Sequence, residues 1–150
     1  GHITDGVALS HRLPLTQLRD EGWGWITNPQ RAAQFEELCD LIESRHGVHL
    51  TQENILAGSF PTATLSRTFL KRYAAEPDVP PLTHDEIRMA TFATAYGLPV
   101  HDTKVPFDPI YWNCEKAYFP IEQILAGAAQ NHKVFHPVKD LFPLSALSRT

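Results

Sequence analysis

Proline interrupts this chain so often that few long elements fit between its breaks. Twelve prolines and eight glycines are spread over 150 residues. Proline has no amide donor and clashes with the preceding turn, so it opens or ends a helix rather than continuing one. Between the breaks, apolar residues recur at helical spacing, and no stretch shows the sustained two-residue alternation of a half-buried strand. The expected fold is therefore mainly α: a compact bundle of about six to eight short helices joined by Pro-rich loops.

The clearest helix is "NPQRAAQFEELCDLIESRHG". Asn28 caps it, Pro29 takes the first helical position, and Gly47 ends it. Phe35, Leu38, Cys39 and Ile42 share its inner face, while Glu36, Glu37, Asp40 and Glu43 lie mostly on a solvated acidic one. "PLTQLRDEG" (14–22) reads as a short helix. "GWGWIT", with alternating Trp23 and Trp25, reads as a short extended piece. "LTQENILAG" and "TATLSRTFLKRYAAEP" read as two further helices separated near Pro61. "THDEIRMATFATAYG" reads as another, with Thr83 as cap and Glu86 completing a capping box. Beyond residue 105, "DPIYWNCEKAYF", "PIEQILAGAAQ" and "HPVKDLFPLSALSR" are read as short helices.

A chain of this length suits one domain, taken as residues 3–150. Gly1-His2 reads as a tag scar. Met89 is the single methionine, which suggests a fragment of a larger protein. Two cysteines make no disulfide framework, so a reducing, cytoplasmic setting is expected. No apolar run reaches the roughly 20 residues that span a bilayer, so no membrane partner is expected. The formal charge of −4 gives no global footprint for nucleic acid, although a local basic patch remains possible.

"ENILAG" at 53–58 and "EQILAG" at 122–127 are spelled alike, but the residues after them share no register, so they are not a repeat. "HGVHLTQENILAGSF" resembles the lead-in to the cofactor turn of pyridoxal-phosphate aminotransferases over about fifteen residues. The downstream Asn, Asp, Tyr and Schiff-base Lys of that family do not follow in order, and no cofactor is expected. Residues 51–75, "TQENILAGSFPTATLSRTFLKRYAA", resemble the helix-turn-helix of bacterial repressors, with "SFPTATLSR" in the register of the break and second helix. On a helical wheel Leu65, Phe69, Leu70 and Tyr73 form an apolar arc, and Thr64, Arg67, Thr68 and Lys71 an opposite one. The stretch from Asn54 to Ala75 contains no acid. The resemblance implies a duplex-DNA reader using Thr64, Arg67, Thr68, Lys71 and Arg72.

Other side chains offer other chemistry. His-Asp pairs and spaced histidines resemble the ligand pattern of HD-type metal phosphohydrolases, with His46, His84, Asp85 and Asp140 as the candidate metal ligands. His84-Asp85 falls at a helix start, where acids favour the helix dipole without any metal, so no metal is expected. His132 and His136 are four apart, but "NHKVFHP" reads as a loop. Cys114, with His101 as a base, is the candidate nucleophile, although a free cysteine among aromatics is more often core. Trp23, Trp25, Tyr111 and Trp112 are the candidate contacts for a protein partner. The favoured expectation is a non-catalytic binding or adaptor module. DNA binding comes second, and a metal-dependent or Cys/His hydrolase third. Oligomeric state is left open.

Overall fold

In the computed structural model the chain divides into two compact units, residues 1–104 and 105–150. The structure describes residues 5–80, 82–104 and 126, with the side chains of 59–62 set aside.

The first unit is not a helical bundle. Among the described residues it holds three strands, β1 (Val7–Pro14), β2 (Leu56–Leu65) and β3 (Val100–Asp102), and five helices. The helices are α1 (Leu15–Asp20), α2 (Gly24–Thr27), α3 (Pro29–His46), α4 (Arg67–Tyr73) and α5 (Asp85–Ala95). The sheet is mixed, in the order β2-β1-β3: β2 runs antiparallel to β1, and β3 parallel to it. The expected mainly α bundle is therefore corrected to a mixed sheet packed with helices.

The physical reason lies in the strands themselves. Val7, Ala8, Leu9 and Ser10 are all buried. A central strand covered on both faces reads as a continuous run rather than an alternation. β2 carries Gly58 and Pro61, residues that read as helix ends or strand breakers in a sequence. The pairing explains why both are tolerated. Ser10 pairs with Ser59 and Ala8 with Thr64, so residues 60–63 bulge out of the ladder. Proline is admitted at such a bulge because no ladder amide is needed there. On the other side, Leu13 pairs with Ala57, which leaves one extra residue in β1. That second bulge contains His11 at φ 50°, an uncommon conformation for a residue with a side chain.

Gly58 sits where the two strands come closest. A Cβ there would lie 2.5 Å from the Ser10 carbonyl oxygen and 3.2 Å from the Arg12 Cα. "ILAG" at 55–58 is thus not a helix end. It is a strand whose glycine admits the neighbouring backbone.

α5 lies against all three strands, and α3 packs on α5. Ile87, Ala90, Phe92 and Ala93 of α5 are fully buried, as are Phe35, Leu38 and Ile42 of α3. The α3 reading stands as expected: the Asn28 side chain accepts from the amides of Gln30 and Arg31, and Gly47 closes the helix in the left-handed conformation. "GWGWIT" is not extended. Its residues 24–27 form α2, and Trp23, 3% exposed, belongs to the core. Thr83 does not cap α5 either. His84 takes the cap position, and the Thr83 hydroxyl donates to the His84 carbonyl.

α4 begins at Ser66, a buried cap whose hydroxyl accepts from the Phe69 amide at 3.1 Å and whose own amide donates to the Gly6 carbonyl. Ser66→Ala is expected to cost about 1 kcal/mol through the lost cap. A denaturant midpoint unchanged from wild type would contradict this.

Candidate interaction surface

Residues 51–75 are not helix, break and helix. Residues 52–54 form a turn, Leu56–Leu65 is β2, and only Arg67–Tyr73 is helical. The first helix of the motif is therefore a strand, because its Ile-Leu-Ala-Gly pairs with β1. The helix-turn-helix geometry implied by the resemblance is absent.

The polar face assigned to that motif nevertheless points to solvent. Thr64, Arg67, Thr68, Lys71 and Arg72 are all exposed. Phe69 is the anchor of α4, fully buried, with its ring 5.7 Å from Tyr73 and 6.0 Å from Tyr96. Tyr73 meets Phe92 edge-on at 5.1 Å, fixing α4 to α5. Leu70 does not join this cluster. It is 45% exposed, the one exposed large hydrophobic side chain among the described residues. Arg67, Leu70 and Lys71 fall at i, i+3 and i+4, so they share one stripe of the helix. Among the described residues, neither Arg67 nor Lys71 forms a salt bridge. Arg72 is engaged differently: its Nη1 donates to the Tyr96 carbonyl at 2.7 Å, and its guanidinium lies 5.9 Å from the Tyr96 ring centre.

Behind α4 lies a polar hub. Glu76, its side chain 7% exposed, accepts from the Tyr96 hydroxyl at 2.8 Å and pairs with His46 Nε2 at 2.9 Å through Oε1. Arg45 Nη1 reaches Oε2 at 3.4 Å and donates to the Pro77 carbonyl at 2.7 Å. One carboxylate thus ties the last turns of α3 and α5 to the segment after α4. Burial first, and then the hydrogen bond to Glu76, push the Tyr96 phenol above its usual pKa. The hub is a structural clasp that holds α4 in place.

The remaining candidates do not converge. His46 is engaged by Glu76 and lies edge-on to Tyr96. His84 instead stacks on Trp25 with ring centres 4.0 Å apart, and Asp85 pairs with Arg88. Among the described residues no group of three His, Cys, Asp or Glu side chains is placed to hold a metal ion. His101 stands on β3 and faces Asp5 at 3.5 Å. Cys114, Tyr111, Trp112, Asp140, His132 and His136 lie outside the described residues. Of the tryptophans offered for a partner, Trp23 is core. Trp25 is half-buried, covered by His84 and by Arg31, whose guanidinium carbon is 5.4 Å from its ring centre. Cys39 is buried, and burial, followed by the charges of Glu36 and Asp40, raises its thiol pKa to about 12, which disfavours the thiolate.

Neither a family model, nor a curated protein, nor a solved structure matches this chain. Among the described residues no helix is long and apolar enough to cross a membrane.

Sequence reasoning found the cations of α4 but missed Arg45, Glu76 and Tyr96. They are separated by 31 and 20 positions, and no local pattern links them.

Proposed function

We propose that this chain is a non-catalytic binding domain whose partner-facing surface is α4. The observation that carries the reading is Leu70, left exposed beside Arg67 and Lys71 on a helix anchored from behind by Phe69. Isolated apolar residues on a surface are ordinary. This one lies beside two cations that form no salt bridge among the described residues, in a stretch free of acids from Asn54 to Ala75. That arrangement suits an acidic protein segment that brings an apolar side chain to Leu70 and carboxylates to the two flanking cations.

Duplex DNA is the competing occupant. A seven-residue helix preceded by a strand lacks the supporting first helix that sets a recognition helix in the groove, so the acidic protein segment is favoured.

The test uses a fluorescent acidic peptide containing leucine, a random-sequence DNA duplex, and the double charge reversal Arg67→Glu/Lys71→Glu. The expected result is peptide binding by the wild type and a loss of at least about tenfold in the variant. DNA binding with a steep salt slope, lost in the same variant, would replace the protein partner by nucleic acid. Equal peptide binding by wild type and variant, or none by either, would sink the reading.

A further inference from the structure

We infer that the acidic segment taken up by α4 is α3 of a second copy of this chain. The inference rests on the role of α4 proposed for this domain and names its partner.

The complement of the α4 stripe stands on the molecule itself. α3 turns Phe35, Leu38 and Ile42 fully inward. At about 100° per residue, Ala33, Glu36, Glu37 and Asp40 fall on the opposite side, and all four are exposed. An acidic outer face is ordinary on a helix at the surface of a domain. Three further observations single this one out. First, its acids are unengaged. Glu43 is held by His49, whose Nδ1 lies 2.8 Å from its Oε2. The carboxylates of Glu36, Glu37 and Asp40 form no salt bridge among the described residues. Second, the spacing matches. Arg67 and Lys71 are four positions apart, and so are Glu36 and Asp40. Each pair therefore spans about 6 Å along its helix axis, so two helices lying side by side can pair both charges at once. Third, the acidic face carries apolar surface. Ala33 lies one turn before Glu37, and the half-buried Leu41 one turn after it. They offer Leu70, 45% exposed, an apolar neighbour beside the carboxylates.

Within one molecule the two faces do not meet: among the described residues no salt bridge joins α3 to Arg67 or Lys71. They are nonetheless carried on elements locked to each other. Arg45 and His46, in the last turn of α3, both hold Glu76 just beyond α4. Each copy thus presents one acidic and one cationic helix face in a fixed relation. When two copies meet about a two-fold axis, α4 of each rests on α3 of the other, and the contact is made twice. Contacts of single helices are small, so the association is weak and falls as salt screens the charges.

The test is sedimentation of the whole chain over a series of protein and salt concentrations, with two charge-reversed variants. One is Arg67→Glu/Lys71→Glu and the other Glu36→Lys/Asp40→Lys. All four positions are exposed, so both variants are expected to fold as the wild type does, which circular dichroism checks. The wild type is expected to dimerise, and either variant alone to associate at least about tenfold more weakly. Mixing the two variants is expected to restore the dimer, because each face again meets its opposite charge, an outcome that a misfolded variant cannot give. A wild type that stays a monomer up to about 1 mM, a dimer that survives in either variant, or a mixture that fails to associate would overturn the inference. The acidic leucine-containing peptide separates this inference from the role of α4 itself. If the wild type is a monomer and the peptide still binds Glu36→Lys/Asp40→Lys, whose α4 is untouched, the α3 partner alone is refuted. If the peptide does not bind that variant, the α4 surface is refuted with it.

Discussion

Gly58→Ala is expected to destabilise the first unit by about 3 kcal/mol, lowering its melting temperature by roughly 15 °C. The reason is not conformational freedom at Gly58. A Cβ at this position would stand 2.5 Å from the Ser10 carbonyl oxygen and 3.2 Å from both the Arg12 Cα and the His11 carbonyl oxygen. All three are backbone atoms, so no flexible side chain can move aside. β1 must shift, and β1 is paired on both sides. Gly47→Ala is the matched control. Gly47 needs a left-handed backbone at φ 66°, but a Cβ there meets nothing within 4 Å. Its substitution should cost only about 1 kcal/mol. Denaturant midpoints of the two variants check the pair. Equal losses would mean that β1 and β2 do not approach closely at Gly58.

The second large effect is expected at Glu76. Glu76→Ala removes the acceptor shared by Tyr96, His46 and Arg45 and leaves the Tyr96 hydroxyl without a partner in a part-buried site. Removing one member of a buried charged cluster typically costs about 3 kcal/mol. Arg45 and His46 are about a quarter exposed, which tempers their share. Tyr96→Phe, which loses a single hydrogen bond, should cost about 1 kcal/mol. A double-mutant cycle between Glu76→Ala and His46→Ala should show coupling of about 1 kcal/mol, because the two side chains touch. If Glu76→Ala changes stability by less than about 0.5 kcal/mol, the carboxylate is not the clasp that joins α3, α5 and the segment after α4.

These two sites mark where sequence reasoning runs out. Helix α3 was legible from Asn28 to Gly47 because cap, first-position proline and terminating glycine are local signals that agree with one apolar face. The strands were not legible. Val7–Ser10 lacks alternation because both faces are buried, and β2 carries a glycine and a proline whose tolerance depends on bulges formed with a partner more than forty residues away. Pro61 therefore passed for a break between two helices. Trp23 and Trp25 looked like partner contacts because size and aromaticity do not reveal burial. The polar side of α4 was legible in part: wheel geometry placed Arg67, Thr68 and Lys71 away from Phe69, and they are exposed. It also placed Leu70 with the core, and Leu70 is exposed instead, because a seven-residue helix anchored through Phe69 does not bury its full apolar arc. The Glu76 clasp joins residues from three separate segments, and no spacing rule reports such a meeting.

The most direct test of the α4 surface is a titration of the wild-type chain with the acidic leucine-containing peptide, read residue by residue from amide signals. Saturable shifts concentrated on Arg67 to Arg72, together with loss of binding in Leu70→Ser as well as in the charge reversal, are the expected result. Shifts that leave α4 unmoved, or peptide binding that survives both substitutions, would contradict it.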